Sequence, residues 1–160
     1  MRNNRALQEF FEGESGRLYG YLIKLCGDED EAKDLYQESF IKYARNYPEK
    51  LSASLLFTVA RTVFIDSKRK EKRHDEIPDE LSCGESPEER LLENRRQKAL
   101  SDCLGNLPES EREIIALKTT EGLKYDDISK ITGLSTSSIK VKIHRARLKL
   151  RDCMAEKDNG

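Results

Sequence analysis

K-Y-D-D-I-S-K-I-T-G-L-S-T-S-S-I-K-V-K-I-H-R-A-R-L-K-L-R-D-C-M, from Lys124 to Met154, decides the fold of this chain. It reads as a short helix, a glycine turn and a longer basic helix, the pattern of a helix-turn-helix that reads DNA. The first element repeats apolar residues at Ile128 and Ile131, and Gly133 can adopt the left-handed backbone that ends it. The second begins at Ser135 or Thr136, whose hydroxyls can cap exposed backbone N–H groups. Ile139, Ile143, Ala146, Leu150 and Met154 then recur at helical spacing, while Lys140, Lys142, Arg145, Arg147, Lys149 and Arg151 cover the remaining surface. No acidic residue interrupts the run before Asp152. A plain core helix with a solvated face usually mixes both charge signs, whereas a nucleic-acid footprint is one-signed.

The segment just upstream, L-G-N-L-P-E-S-E-R-E-I-I-A-L-K from Leu104, opens a helix after Pro108 and leads into the same domain. Together with the R-A-R at Arg145, Ala146 and Arg147, it resembles region four of the extracytoplasmic-function group of sigma-70 family sigma factors. Other helix-turn-helix regulators end in similar domains, and the amino-terminal half separates them. There D-E-A-K-D-L-Y-Q-E-S-F-I-K-Y-A-R, from Asp30 to Arg45, is similar to sigma region two at Asp34, Leu35, Gln37, Glu38 and Phe40. L-F-T-V-A-R-T-V-F-I-D-S-K-R-K-E-K-R, from Leu56 to Arg73, resembles the helix that meets the downstream promoter element in that family. The resemblance runs from about Phe10 to Cys153.

The resemblance implies an all-α chain of two small helical domains: region two over residues 1–74, an acidic flexible linker over 75–87, and region four over 88–160. It implies a non-enzymatic sigma factor that directs core RNA polymerase to promoters, with region four on the −35 element and region two on the −10 element. Asp34, Leu35, Gln37 and Glu38 are then expected to dock on the clamp helices of the largest polymerase subunit, with a second contact at the flap region. The expected downstream-element residues are Arg61, Thr62, Ile65, Asp66, Lys68, Arg69 and Lys70, aided by the loop from Asn46 to Ser54. Thr62 stands where the family often has Asn, and Leu55 or Leu56 replaces a common Trp. An anti-sigma protein is the further partner the family implies, covering both Arg61 to Arg73 and Lys140 to Arg151.

The residues themselves support two chemistries. A helix in the major groove presents side chains near its amino terminus to base edges, while its flanks hold phosphates. Thr136, Ser137, Ser138, Lys140 and Val141 are the candidates for base contact, and Lys142, His144, Arg145 and Arg147 for phosphates or the groove wall; Ile143 and Ala146 belong to the core. Duplex opening needs groups that stack on or pocket unpaired bases, each contributing about 1–3 kcal/mol. Lys68 to Arg73 can alternatively be a solvated helix end placed favourably for the dipole.

Length and composition are consistent with this. The chain has 160 residues, 36% hydrophobic and 37% charged, with no Trp, which suits one ordinary domain or two small ones. The net charge of −1 conceals segregation: basic residues gather at Arg61 to Arg73 and Lys140 to Arg151, acidic ones at Asp28 to Glu38 and Asp75 to Glu93. The start lacks the apolar stretch of a signal peptide and no run approaches the roughly 20 residues that span a bilayer, so no membrane insertion and a cytoplasmic location are expected. Cys26, Cys83, Cys103 and Cys153 form no C-x-x-C pair, and with His74 and His144 they make a weak zinc pattern; reduced structural thiols are expected, with Cys83 open to a redox role. Asp30, Asp34 and Glu38 recur one turn apart, but a di-iron bundle needs more than the single E-x-x-H at Glu71 and His74. No cofactor is expected.

Helical periodicity covers Ala6 to Cys26, Glu29 to Tyr47, a helix from Ser52 or Ser54, and a new domain opening at Pro87 with Glu88 and Glu89 in its first turn. Pro78, Gly84 and Pro87 punctuate the linker, and free movement between the two domains is expected. Two other classes remain open at this point: a DNA-binding regulator that occupies a site without polymerase, and a helical interaction module with incidental basic helices.

Overall fold

The computed structural model describes residues 2–73 and 91–159. Among the described residues the chain forms seven helices and no strand: α1 Arg2–Cys26, α2 Glu29–Asn46, α3 Ala53–Arg73, α4 Leu91–Gly105, α5 Glu109–Lys118, α6 Tyr125–Thr132 and α7 Thr136–Asn159. The expected linker 75–87, with Cys83, His74 and the Pro87 helix start, lies outside the described residues.

Local sequence sets most helix ends. Gly27 takes φ 72° and donates its N–H to the Ile23 carbonyl at 2.8 Å, which stops α1. Asp28 then caps α2, accepting from the N–H of Asp30 at 2.9 Å, an arrangement worth about 1 kcal/mol. Gly133 closes α6 at φ 79°, and Ser135 opens α7 by accepting the Ser138 N–H at 3.2 Å. Two helices outrun the sequence reading, α1 beginning at Arg2 and α7 continuing to Asn159.

In the amino-terminal half α1, α2 and α3 pack around Leu18, Tyr21, Leu22, Leu25, Tyr43, Leu56 and Phe57, all at most 1% exposed. Each such side chain taken out of water contributes about 1.5–3 kcal/mol. The Tyr43 hydroxyl donates to the Lys50 carbonyl and accepts the Ser52 N–H at 3.2 Å, so this core residue also holds the α2–α3 loop. In the carboxy-terminal half Ile114, Leu117, Ile128, Ile139 and Ala146 bring α5, α6 and α7 together.

In this structure the two halves lie against each other. α1 lies on α5 and α3 on α6, and the buried residues of both halves form one continuous cluster. Lys24 donates to the Thr119 hydroxyl at 2.9 Å, Ser54 to Asp127 at 3.3 Å, and Arg61 pairs with Glu113. Arg112 binds the carbonyls of Leu104, Gly105 and Leu107 at the end of α4 and reaches the Leu25 carbonyl of α1 at 3.2 Å. These are mostly polar contacts between surfaces that also suit water, so sequence patterning carries little trace of them.

The cysteines depart from the expected reduced thiols. Cys103 on α4 and Cys153 on α7 form a disulfide with a Cα–Cα distance of 5.9 Å, while Cys26 is free. Their separation of 50 residues hides the pairing from any spacing rule, because it arises only when α4 is laid on α7.

Candidate nucleic-acid interface

On α7 the helical repeat sorts the sequence candidates by face. Ile139, Ile143 and Ala146 are at most 3% exposed and hold the helix on the domain. Ser137, Lys140, Val141 and His144, spaced at three, four and seven residues, form one outward stripe, with Arg145 and Arg147 exposed beside it. Val141, 48% exposed, belongs to this outer surface rather than to the core. Thr136, Ser138 and Lys142 are half-buried, and Lys142 donates to the Ser110 hydroxyl of α5 at 3.3 Å. On the same flank Lys149 donates to the buried Glu111 carboxylate at 3.0 and 3.1 Å, which ties α7 to α5 and makes Lys149 a supporting residue.

Tyr125, at the start of α6, escaped the sequence reading. Its ring lies 5.4 Å from the Lys140 ammonium and 4.6 Å from that of Lys118, so two cations share one aromatic ring. The only signal in sequence was an aromatic at the opening of the short helix.

α3 presents a mixed face. Thr62, Arg69 and Lys70 are exposed; Ile65 and Asp66 are half-buried. Lys68 bridges Glu31 of α2 at 3.1 Å and Glu71 at 3.2 Å; burial lowers its pKa, yet the two carboxylates outweigh that and raise it. Arg61 is turned toward the carboxy-terminal half by Glu113, whose own pKa is raised because burial outweighs the opposing pull of Arg61. Thr62, Thr58, Val59 and Leu55 line a 340 Å³ cleft with Arg45, Asn46 and Tyr47, so the expected loop and the expected helix do meet at one concave surface. A neighbouring 290 Å³ cleft brings Asp66, Arg69 and Lys70 against Glu38 and Lys42 of α2.

The expected docking residues separate. Asp34, Gln37 and Glu38 are exposed on α2, but Leu35 is only 3% exposed and is not available to a partner. Ala32, Leu35, Ser39 and Tyr43 form the inward stripe of α2, and the hydrophobic requirement of the core claims Leu35. Ile41, 58% exposed and one turn beyond Gln37, joins Asp34, Gln37 and Glu38 on the outer stripe; an unburied apolar residue in a charged face was not read from sequence.

Among the described residues no group of three or more His, Cys, Asp or Glu is placed to hold a metal ion, and no helix is long and apolar enough to cross a membrane.

Residues 10–74 match the family model for sigma-70 region 2 and residues 97–150 that for sigma-70 region 4. The extracytoplasmic-function sigma factor EcfG of Rhodopseudomonas palustris is 30% identical over 83% of this chain and 76% of its own length. SigE of Mycolicibacterium smegmatis is 29% identical over 92% of this chain, which spans 61% of that relative. Among solved structures, the sigma factor RpoE in complex with the anti-sigma factor NepR from Bartonella quintana shares the fold with a TM-score of 0.74, at 24% identity over 95% of this chain and 96% of that one.

Proposed function

Because this chain belongs to the sigma-70 family as an extracytoplasmic-function sigma factor, which directs promoter-specific initiation by RNA polymerase, we propose a division of labour among its surfaces. α7 reads the −35 element in the major groove, with Ser137, Lys140, Val141 and His144 toward base edges and Arg145 and Arg147 toward phosphates. Thr136, Ser138 and Lys142 set the helix in the groove from its half-buried flanks. α3 and the loop at 47–52 meet the −10 element, where the cleft at Tyr47, Leu55 and Thr62 is shaped for an unpaired base and Arg69 and Lys70 hold the strand. Asp66 lies in the neighbouring cleft with Arg69 and Lys70, Ile65 and Lys68 support α3 from its half-buried side, and Arg61 becomes free for DNA only when it leaves Glu113.

The observation that carries this reading is the outward stripe of α7: polar and basic residues with one valine and no acidic residue, on a helix anchored by three buried apolar side chains. Asp34, Gln37, Glu38 and Ile41 form the face offered to the clamp helices of core polymerase, with charge setting orientation and Ile41 adding a dry contact. An anti-sigma protein that holds the halves together hides both DNA surfaces at once. The site of action is the cytoplasm, where core polymerase and promoter DNA are found, and the chain performs no catalysis of its own.

The alternative, a regulator that occupies DNA without joining polymerase, is disfavoured by the match to region 2. Transcription with purified core polymerase on promoters mapped by transcript-start sequencing tests the choice. Specific starts that depend on the added chain support a sigma factor. DNA binding without core association or specific starts returns the chain to the regulator class.

A further inference from the structure

We propose that Cys103 and Cys153 form a redox-responsive staple of the carboxy-terminal half, closed by peroxide and opened by a dithiol. The disulfide joins α4 to α7 and encloses α5, α6 and the DNA-facing part of α7 within its 50-residue span. Two apolar side chains on these helices remain open to solvent. Leu100 of α4 is 44% exposed, Leu148 of α7 is 37% exposed, and the accompanying ion pair, Lys157 with Asp102 at 3.5 Å, is solvent-accessible and contributes little. The S–S bond is the covalent tie between α4 and the far end of α7. A cross-link enclosing a loop of this length strongly restricts the unfolded chain, in the chain-entropy account.

The surroundings of the pair favour exchange. Cys103 is 1% exposed, but Cys153 is half-buried, leaving one end of the bridge open to attack. Lys149 and Lys157 stand four residues to either side of Cys153 on α7, paired with Glu111 of α5 and Asp102 of α4, so charged and solvent-accessible groups surround this end of the bridge. Cys26 contrasts with this: burial pushes its thiol up to about 11, and its Sγ donates to the Leu22 carbonyl, so it is the protonated and unreactive cysteine.

On oxidation the Cys153 thiolate attacks hydrogen peroxide, giving a sulfenic acid and, after protonation, one water. The Cys103 thiol then condenses with it, forming the S–S bond and releasing a second water. On reduction a thiolate of the dithiol attacks Cys153 Sγ, Cys103 leaves as a thiolate and is protonated, and the second thiol resolves the mixed disulfide. Only the consequence for DNA rests on the reading of α7 as the upstream reader: near the melting temperature of the reduced form, the oxidised chain keeps that reader folded.

The test uses the full chain carrying Cys26→Ser and Cys83→Ser, so that the pair alone responds. Thiols are counted by alkylation and mass spectrometry after dithiothreitol and after peroxide, and melting is followed by circular dichroism. Peroxide is expected to remove both alkylatable thiols and raise the melting temperature by roughly 10 °C or more. Cys153→Ser, at the half-buried end, should melt as the reduced parent does under either condition. Two thiols still alkylatable after peroxide, or equal melting of the oxidised and reduced parent, would overturn the staple. Binding of a short duplex at low salt near the reduced melting point is expected to be stronger for the oxidised chain. Equal binding there, with the thiol and melting results intact, overturns its control of the reader without touching the staple, whereas no binding in either state counts against the DNA reading of α7.

Discussion

Arg61 on α3 and Glu113 on α5, 52 residues apart in sequence, form a hydrogen-bonded ion pair across the seam between the two halves. Their side chains are 30% and 13% exposed, so the pair is largely shielded from water. Tyr21, fully buried beside them, has a hydroxyl with no hydrogen-bond partner and a pKa raised by burial, then by Glu113, with Arg61 opposing. A basic residue expected on DNA is thus held by a carboxylate of the other half.

Breaking this pair should loosen the seam. Glu113→Arg sets two cations against each other, and small-angle scattering is expected to show a larger radius of gyration than for the parent. Adding Arg61→Glu reverses the pair and should restore part of the compaction, with a coupling of about 0.5–3 kcal/mol between the two sites. Equal dimensions for all three proteins would mean that the pair does not hold the halves together.

Closure should respond to pH through the same carboxyl. Glu113 lies above its ordinary value in the packed state, because burial disfavours its charge more than Arg61 relieves it. The packed state therefore binds this proton more tightly than the open one, and its advantage grows as pH falls through the raised value toward the ordinary carboxylate range. That advantage is lost as pH rises back through the raised value. Energy transfer between dyes on the two halves is expected to increase as pH is lowered from neutrality toward the ordinary carboxylate range, and Glu113→Gln, which cannot titrate, should flatten the response.

The two sides of α7 should fail differently. Lys140→Ala removes a groove-facing cation braced by Tyr125 and is expected to cost about 1–3 kcal/mol on the preferred upstream element, relaxing preference at one or two positions. Arg147→Ala should weaken all sequences alike and reduce the salt slope by about one. Identical specificity profiles from the two variants, measured on a randomised duplex library, would show that these sides are wrongly assigned.

The outer face of α2 should matter for polymerase and not for upstream DNA. Gln37→Ala with Glu38→Lys also sets a cation beside Lys42, the partner of Glu38 at 3.5 Å. Core polymerase binding in a pull-down is expected to fall at least tenfold while duplex binding by α7 persists. Ile41→Ser should weaken core binding alone. Full retention of core affinity by both variants would place the docking face elsewhere.

Sequence alone determined the elements whose information is local. Helical periodicity, Gly27 and Gly133 at the stops, Ser135 at a start and the unbroken basic run of α7 each act within a few residues, so the helix-turn-helix and the all-α class were readable before any packing was known. Ile143 and Ala146 fell to the core as expected, because the spacing that buries them is the spacing that exposes Lys140 and His144. Tertiary structure decided what depends on residues far apart in the chain. Leu35 lies inside a motif that resembles a docking surface, yet the α1–α2–α3 core takes it. Tyr125 becomes a brace for Lys140 only once α6 meets α7, and Cys103 finds Cys153 only once α4 meets α7. The seam through Lys24, Ser54, Arg61 and Arg112 is likewise invisible along the sequence. The polar contacts among these residues are single groups that impose no periodicity, and folding alone brings each one to its partner.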